Sequence, residues 1–251
     1  MADSKKSLSS FKAFGFDVMG TLLDERIGIW DACKPLHTYL SSSSRPDDVQ
    51  HAINEALSRL MKSGPAGTSY ESIMAKAYSE VTDNLTKGQY SPSSEESLGF
   101  ARSLAEWPLW PDTFASLEQL SSKSDLYLVS NMDTTTLQRI ATEGPLKGIR
   151  FAALIGSDQS KAFKPDQRVN QTMLDRAKQH SGIGKDEILL VAQGTASDHV
   201  PARDMGIASA WIDRYDQGQD AIGRLGLKPT YVFKSLAELV AQRDEEMRSK
   251  R

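Results

Sequence analysis

The sequence predicts an α/β protein: a doubly wound parallel sheet with a helical segment inserted after its first strand. Short apolar runs at 11–18, 126–130, 151–155, 188–192 and 208–212 are bounded by turn residues. Most alternate with stretches of helical character at 134–141, 165–180 and 200–205. Strands alternating with helices make βαβ units and a parallel sheet flanked by helices. Between the first two runs the pattern differs, and residues from about 25 to 105 read as helices alone. A chain of 251 residues can bury a sizeable core without disulfides or metal staples.

The first run ends at Asp17-Val-Met-Gly-Thr21, which reads as a buried strand entering a tight turn at Gly20. In the insertion Leu57, Leu60 and Met61 sit at helical spacing, as do Ile73, Ala77 and Val81, with breaks at 41–48 and 64–69. The chain returns near Trp107-Pro-Leu-Trp-Pro111, where Pro108 and Pro111 stiffen the path and Pro111 suits the first turn of the next helix. Residues 230–233 add an edge strand. Ser235 then caps a last helix, with Glu238 at capping-box spacing. The expected division is a core of 1–24 and 106–251 and a helical unit of 25–105.

Thirty basic and 33 acidic residues give a net charge of -3, which argues against nucleic-acid binding. With 39% apolar and 25% charged residues the chain is far from disordered. The single cysteine, Cys33, forms no internal disulfide and suits a reducing compartment. No apolar run is long enough to span a bilayer, and residues 1–12 are polar with no signal-peptide core. These features point to a cytoplasmic enzyme with a small-molecule substrate and no nucleic-acid or membrane partner.

Ligands of open parallel sheets bind at the carboxyl ends of the strands. Those ends offer Asp17 and Thr21, then Ser130-Asn131, then Lys164-Pro-Asp, then Gln193-Gly-Thr195-Ala-Ser-Asp198. A carboxylate held ionised by a cation can be a covalent nucleophile. Lys164 is the cation for Asp17, Asp198 is the partner that positions it, and Thr21, Ser130 and backbone N–H groups can bind an anion.

In that order, Asp17-x-x-x-Thr21, Ser130, Lys164-Pro-Asp and Asp198 resemble the four motifs of the haloacid dehalogenase (HAD) superfamily, and the insertion resembles its helical cap. Within it, the chain is most similar to type II 2-haloacid dehalogenases and their fungal dehalogenase-like relatives. The similarity lies in Phe16-Asp-Val-Met-Gly-Thr-Leu-Leu-Asp24, Ser130-Asn131, Lys164-Pro-Asp-Gln-Arg-Val169 and Asp198-His-Val-Pro-Ala-Arg203, followed by Trp211-Ile-Asp-Arg214. The resemblance implies a Rossmann-like core and a metal-independent hydrolase in which Asp17 displaces halide and water hydrolyses the resulting ester. It implies catalytic roles for Asp17, Lys164 and Asp198. It places Met19, Thr21, Ser130, Asn131, Asn170 and Thr195 around the substrate, and it admits homodimerisation through the cap.

Four positions depart from related patterns. Superfamily phosphatases carry an acid two residues after the nucleophile, where this chain has Met19, and an acidic magnesium ligand where it has Gln193. The dehalogenase pattern has an aromatic at Met19, a tyrosine at Asn170, and Ser-x-Asn at Gln193-x-Thr195. A halide leaves without protonation or metal, so dehalogenation tolerates the loss of both acids. One alternative is a Mg²⁺-dependent phosphatase or prenyl-diphosphate enzyme, its metal on Asp17, Asp198 and the Met19 carbonyl. Another is a HAD scaffold that only binds.

Other residues carry simpler expectations. His199 is read as structural, since adjacent helical residues do not face each other. Cys33 is a small buried hydrophobe. Asp198 suits the N-cap of the helix toward Met205. Trp30, Trp107 and Trp110 are placed at the cap–core hinge, and Arg26 is the positional candidate for a cap arginine.

Overall fold

The structure is a computed structural model and describes residues 6–65 and 68–250. The polar stretch at 1–5, residues 66 and 67 of the expected break, and Arg251 lie outside the described residues. Six strands form one parallel sheet in the order β3-β2-β1-β4-β5-β6. They are β1 (Ala13–Phe16), β2 (Asp125–Val129), β3 (Ala153–Ile155), β4 (Ile188–Ala192), β5 (Ala208–Ile212) and β6 (Tyr231–Phe233). β1 lies at the centre, and the strand order reverses direction between β1 and β4. Such a switch point opens a crevice at the carboxyl ends of the strands.

The inserted segment after β1 holds, among the described residues, α1 (Glu25–Ala32), α2 (Pro46–Ser63), α3 (Tyr70–Leu85) and α4 (Ser94–Ser103). They are followed by α5 (Thr113–Ser121), α6 (Thr134–Thr142), α7 (Ser157–Ser160), α8 (Gln167–Ser181), α9 (Val200–Met205), α10 (Gln219–Gly223) and α11 (Leu236–Arg248). The expected strands are therefore all present, trimmed to the residues that pair in the ladder.

Alternation along the central strands sends side chains to two faces. Phe14, Phe16, Leu126, Leu128, Leu189 and Val191 join α5, α6 and α11 and the apolar faces of the inserted helices in one buried cluster. Ala13, Tyr127, Val129, Ile188 and Leu190 join Val169, Met173 and Ala177 of α8 in a second. Gly15 lets α8 approach β1, because a Cβ there would collide with Met173 Sδ. Gly20 turns the chain after β1 with φ +72°, a conformation most residues adopt only with strain.

Caps fix several helix starts. Asp24 accepts the Ile27 N–H at 3.2 Å, and Ser93 and Glu96 close a full capping box on α4. At α11 the expected box forms only in half: Ser235 accepts from Glu238 N–H, but the Glu238 carboxylate accepts the N–H of Lys234 instead. Pro111 also sits earlier than expected. α5 begins at Thr113 with Asp112 as its N-cap, so Pro111 precedes the cap. The Asp112 carboxylate turns away to accept the N–H groups of Leu236 and Ala237 and to pair with Arg214 at 2.7 Å. Arg214 in turn donates to the Thr21 carbonyl and stacks over Trp110, tying the β1 turn to the end of β5.

Candidate active site

Asp17 follows β1 directly and donates its backbone N–H to the Val191 carbonyl of β4. Its carboxylate is thereby fixed at the switch point. Lys164, from the loop between α7 and α8, brings its Nζ within 2.8 Å of Asp17 Oδ1 and 2.6 Å of Asp198 Oδ1. The three side chains are only 4%, 12% and 2% exposed, for Lys164, Asp17 and Asp198 in turn. Residues distant in sequence thus meet as a buried carboxylate–ammonium–carboxylate triad.

Burial works against the charge of Lys164, yet the two carboxylates outweigh it and hold the ammonium above its ordinary range. Burial pushes the Asp17 carboxyl up, opposed by Lys164. With the lysine proton secured, Asp17 keeps an ammonium at contact distance.

Thr21 clamps the other oxygen. Its hydroxyl donates to Asp17 Oδ2 at 2.7 Å and accepts the Gln193 N–H at 2.8 Å. Ser197 donates to Asp198 Oδ2 at 2.6 Å. Asn131 Oδ1 accepts the Lys164 N–H at 2.7 Å, and Ser130 Oγ accepts the Met132 N–H, leaving the Ser130 hydroxyl proton to donate elsewhere.

A cavity of about 200 Å³ opens over this triad. Asp17, Met19, Ser130, Asn131, Lys164 and Gln193 form its floor on the sheet side, and Glu25, Asn54, Leu57, Met61 and Tyr70 line it from the inserted helices. Thr21 and Asp198 lie buried behind the floor. Asn170, buried on α8, and Thr195, half-buried in the turn after β4, do not line the cavity.

Asp198 is not the N-cap of α9. That position belongs to His199, and Asp198 lies in a π-helical turn over Thr195–His199. His199 is buried between Ser209 Oγ and the Ala192 carbonyl, and burial lowers its pKa to about 4, so it stays neutral in a structural role. Cys33 is buried and its thiol is pushed up to about 12 by burial. Trp107 packs against α1 at Gly28, Trp30 stacks on His37, and the Trp110 indole donates to the Gly20 carbonyl. Arg26 pairs with Asp47 at 3.5 Å along an outer groove and does not line the cavity over Asp17.

Glu25 was not anticipated from the sequence. It is the first residue of α1 and 7% exposed, and its carboxyl accepts from Gln50 Nε2 at 2.6 Å and Asn54 Nδ2 at 3.1 Å. Burial, with Asp17 nearby, pushes it up to about 7. The only sequence signal was an acid at the start of the insertion, which reads equally well as a helix-start charge.

The donor set does not fit a divalent cation. Asp17 and Asp198 are already bridged by an ammonium, Gln193 brings no charge, and among the described residues no three His, Cys, Asp or Glu side chains converge to hold an ion. Magnesium favours charged oxygen ligands in octahedral array.

No protein-family model and no curated protein matches the chain. Solved structures do. A HAD-hydrolase from Bacillus subtilis, crystallised with magnesium, aligns with TM-score 0.71 at 20% identity over 93% of this chain and 99% of that one. A defluorinating L-2-haloacid dehalogenase aligns with TM-score 0.72 at 22% identity over 95% and 98% of the two chains. The L-2-haloacid dehalogenase from Xanthobacter autotrophicus with chloropropionic acid covalently bound aligns with TM-score 0.71 at 17% identity over 92% and 97%. The chain therefore has the fold of the HAD hydrolases and L-2-haloacid dehalogenases, sheet and helical insertion together. Among the described residues no helix is long and apolar enough to cross a membrane.

Proposed function

We propose that this protein is a hydrolase of the 2-haloacid dehalogenase type, working through an ester on Asp17 without a metal ion. The observation that carries this reading is Lys164, buried and in contact with both Asp17 and Asp198. An ammonium so held opposes the effect of burial on Asp17, keeps its carboxylate aimed, and supplies the positive charge between the two carboxylates. Residues 25–105 act as the cap, and its Leu57, Met61 and Tyr70 exclude water while the nucleophile reacts.

In the first step an Asp17 carboxylate oxygen attacks the halogen-bearing carbon. The carbon–halogen bond breaks with its electron pair going to halide, which needs no proton, so Met19 suffices where an acid would otherwise stand. In the second, water attacks Asp17 Cγ and the ester C–O bond breaks, releasing the hydroxy acid and restoring the carboxylate. Ser130 and Asn131 supply donors for the substrate carboxylate, and Thr21 holds the second Asp17 oxygen in place. The lone buried Cys33 suits a reducing, cytoplasmic setting.

The test is intact-protein mass spectrometry with halide assay on a panel of 2-haloacids and phosphate or diphosphate esters, with and without Mg²⁺. An acyl-ester adduct and halide release without metal, both lost in Asp17→Asn, are expected. Phosphoryl adducts or diphosphate release only with Mg²⁺ would overturn the reading in favour of the metal-dependent alternative.

A further inference from the structure

The proposed reaction leaves one requirement unassigned: a group to take a proton from the water that opens the Asp17 ester. Asp198 is poorly suited, since one oxygen contacts the Lys164 ammonium at 2.6 Å and the other accepts from Ser197. Met19 is inert. Resting on the ester mechanism above, we infer that Glu25 is the general base of the hydrolytic step, accepting a proton from the water that attacks Asp17 Cγ.

Three features support this. Glu25 lines the same cavity as Asp17, from the opposite, cap side. Its two amide partners, Gln50 and Asn54, both donate to Oε1, and the Tyr215 hydroxyl also hydrogen-bonds to the carboxyl. The carboxyl is thus held in place by α2 while it lines the cavity that a water on its way to Asp17 would occupy. Lastly, Glu25 responds to the charge of Asp17. Burial raises its proton affinity to bring its pKa to about 7, and the Asp17 carboxylate adds to that rise. Esterification removes the Asp17 charge. Glu25 then gives up its proton to solvent more readily, becoming a base at the stage when a base is needed.

The other charged and titratable groups around it are few. Tyr215, after β5, hydrogen-bonds to the Glu25 carboxyl and shares Gln50 with it, and Tyr70 of α3 lines the cavity. Arg26 of α1, with Asp47 and His51 of α2, lines the outer groove beyond Glu25. Both tyrosines have their hydroxyls pushed upward by burial, so they stay neutral.

The step balances. Glu25 carboxylate takes one proton from water as the oxygen bonds to Cγ, giving a tetrahedral oxyanion and Glu25 acid. Collapse breaks the bond to the substrate oxygen, which leaves with the proton from Glu25. Asp17 emerges as the acid and loses its proton to solvent, completing the release of one proton and one halide per turnover.

Two arms test it. In the first, with no substrate, the Glu25 carboxyl is titrated by isotope-edited infrared spectroscopy in the wild type and in Asp17→Asn, whose neutral side chain imitates the ester. A titration near 7 that falls clearly in Asp17→Asn is expected. A titration at ordinary glutamate pH, or one indifferent to residue 17, overturns the proposal. In the second, Glu25→Gln, which preserves the oxygen that Gln50 and Asn54 address, is given 2-chloropropionate. A single-equivalent burst of chloride with accumulation of the Asp17 ester is expected, with Glu25→Asp recovering part of the turnover. Continued turnover, or failure to form ester at all, overturns the proposal. Absence of ester in the wild type with every 2-haloacid would instead overturn the haloacid reading, and the titration arm then decides Glu25 by itself.

Discussion

Asn131 Oδ1 accepts the backbone N–H of Lys164 at 2.7 Å, so the loop after β2 fixes the residue that carries the ammonium. Thr21 plays the matching part for Asp17, and the triad is assembled by loops that hold each other rather than by any one loop.

Asn131→Ala removes that tether. The expected cost is about 1 kcal/mol of stability, with a larger effect on turnover, roughly 10–100-fold in kcat, because a small displacement of Lys164 misaligns Asp17, the proposed nucleophile, and a proposed donor to the substrate carboxylate is lost with it. Comparing urea midpoints with single-turnover halide release separates the two. Equal, small losses in both would show that Lys164 does not depend on this bond.

Lys164→Met leaves two buried carboxylates facing each other without a cation. A loss of about 3–5 kcal/mol is expected, together with loss of activity. Adding Asp198→Asn should restore part of the stability and none of the activity. A double variant no more stable than the single one would contradict the charge account of the triad.

The raised Glu25 carboxyl has a consequence for folding. Its pKa lies near 4.5 in the unfolded chain and about 7 in the folded one, so the folded state binds the extra proton and ionisation opposes folding. The penalty is absent below about pH 4.5, grows through the interval, and is complete above about pH 7, where the shift corresponds to about 3 kcal/mol as an upper bound. Glu25→Gln should therefore stabilise the protein at pH 8 and leave it nearly unchanged at pH 4.5. Chemical denaturation at the two pH values checks this.

His199 works in the opposite direction. Held neutral by burial with its pKa lowered from 6.5 to about 4, it contributes no penalty above about pH 6.5. As the pH falls from there to about 4 the unfolded chain binds a proton the folded one refuses, at a cost approaching about 3 kcal/mol. His199→Gln should flatten that part of the acid limb. An unchanged acid limb would mean that other groups govern it.

Gly15→Ala drives a methyl group to within contact of Met173 Sδ. An overpacking cost of about 1–3 kcal/mol is expected, and Gly15→Ala combined with Met173→Ala should recover part of it, as read by thermal melting. No loss in the single variant would mean that α8 shifts freely over β1.

The candidate site residues were legible because ligands of open parallel sheets bind immediately after the strands, and the strands announce themselves as short apolar runs. Asp17, Ser130-Asn131 and Gln193 could be placed at one rim from the order of elements alone. Asn170 shows the limit: a position placed at the site by the resemblance lies buried on α8 and does not line the cavity. Helix periodicity shows which side of a helix is apolar, not which polar residue on it turns toward a ligand.

By itself, the sequence determined the parallel sheet and the helical insertion, because apolar periodicity and turn residues act locally along the chain, and the order of strand ends put Asp17 and Lys164 at one rim. Only the tertiary structure decided the state of Glu25. Its burial, its amides from α2 and the charge of Asp17 at the end of β1 come together only when the insertion closes over the sheet, and a carboxyl takes its acidity from those neighbours rather than from its place in the chain.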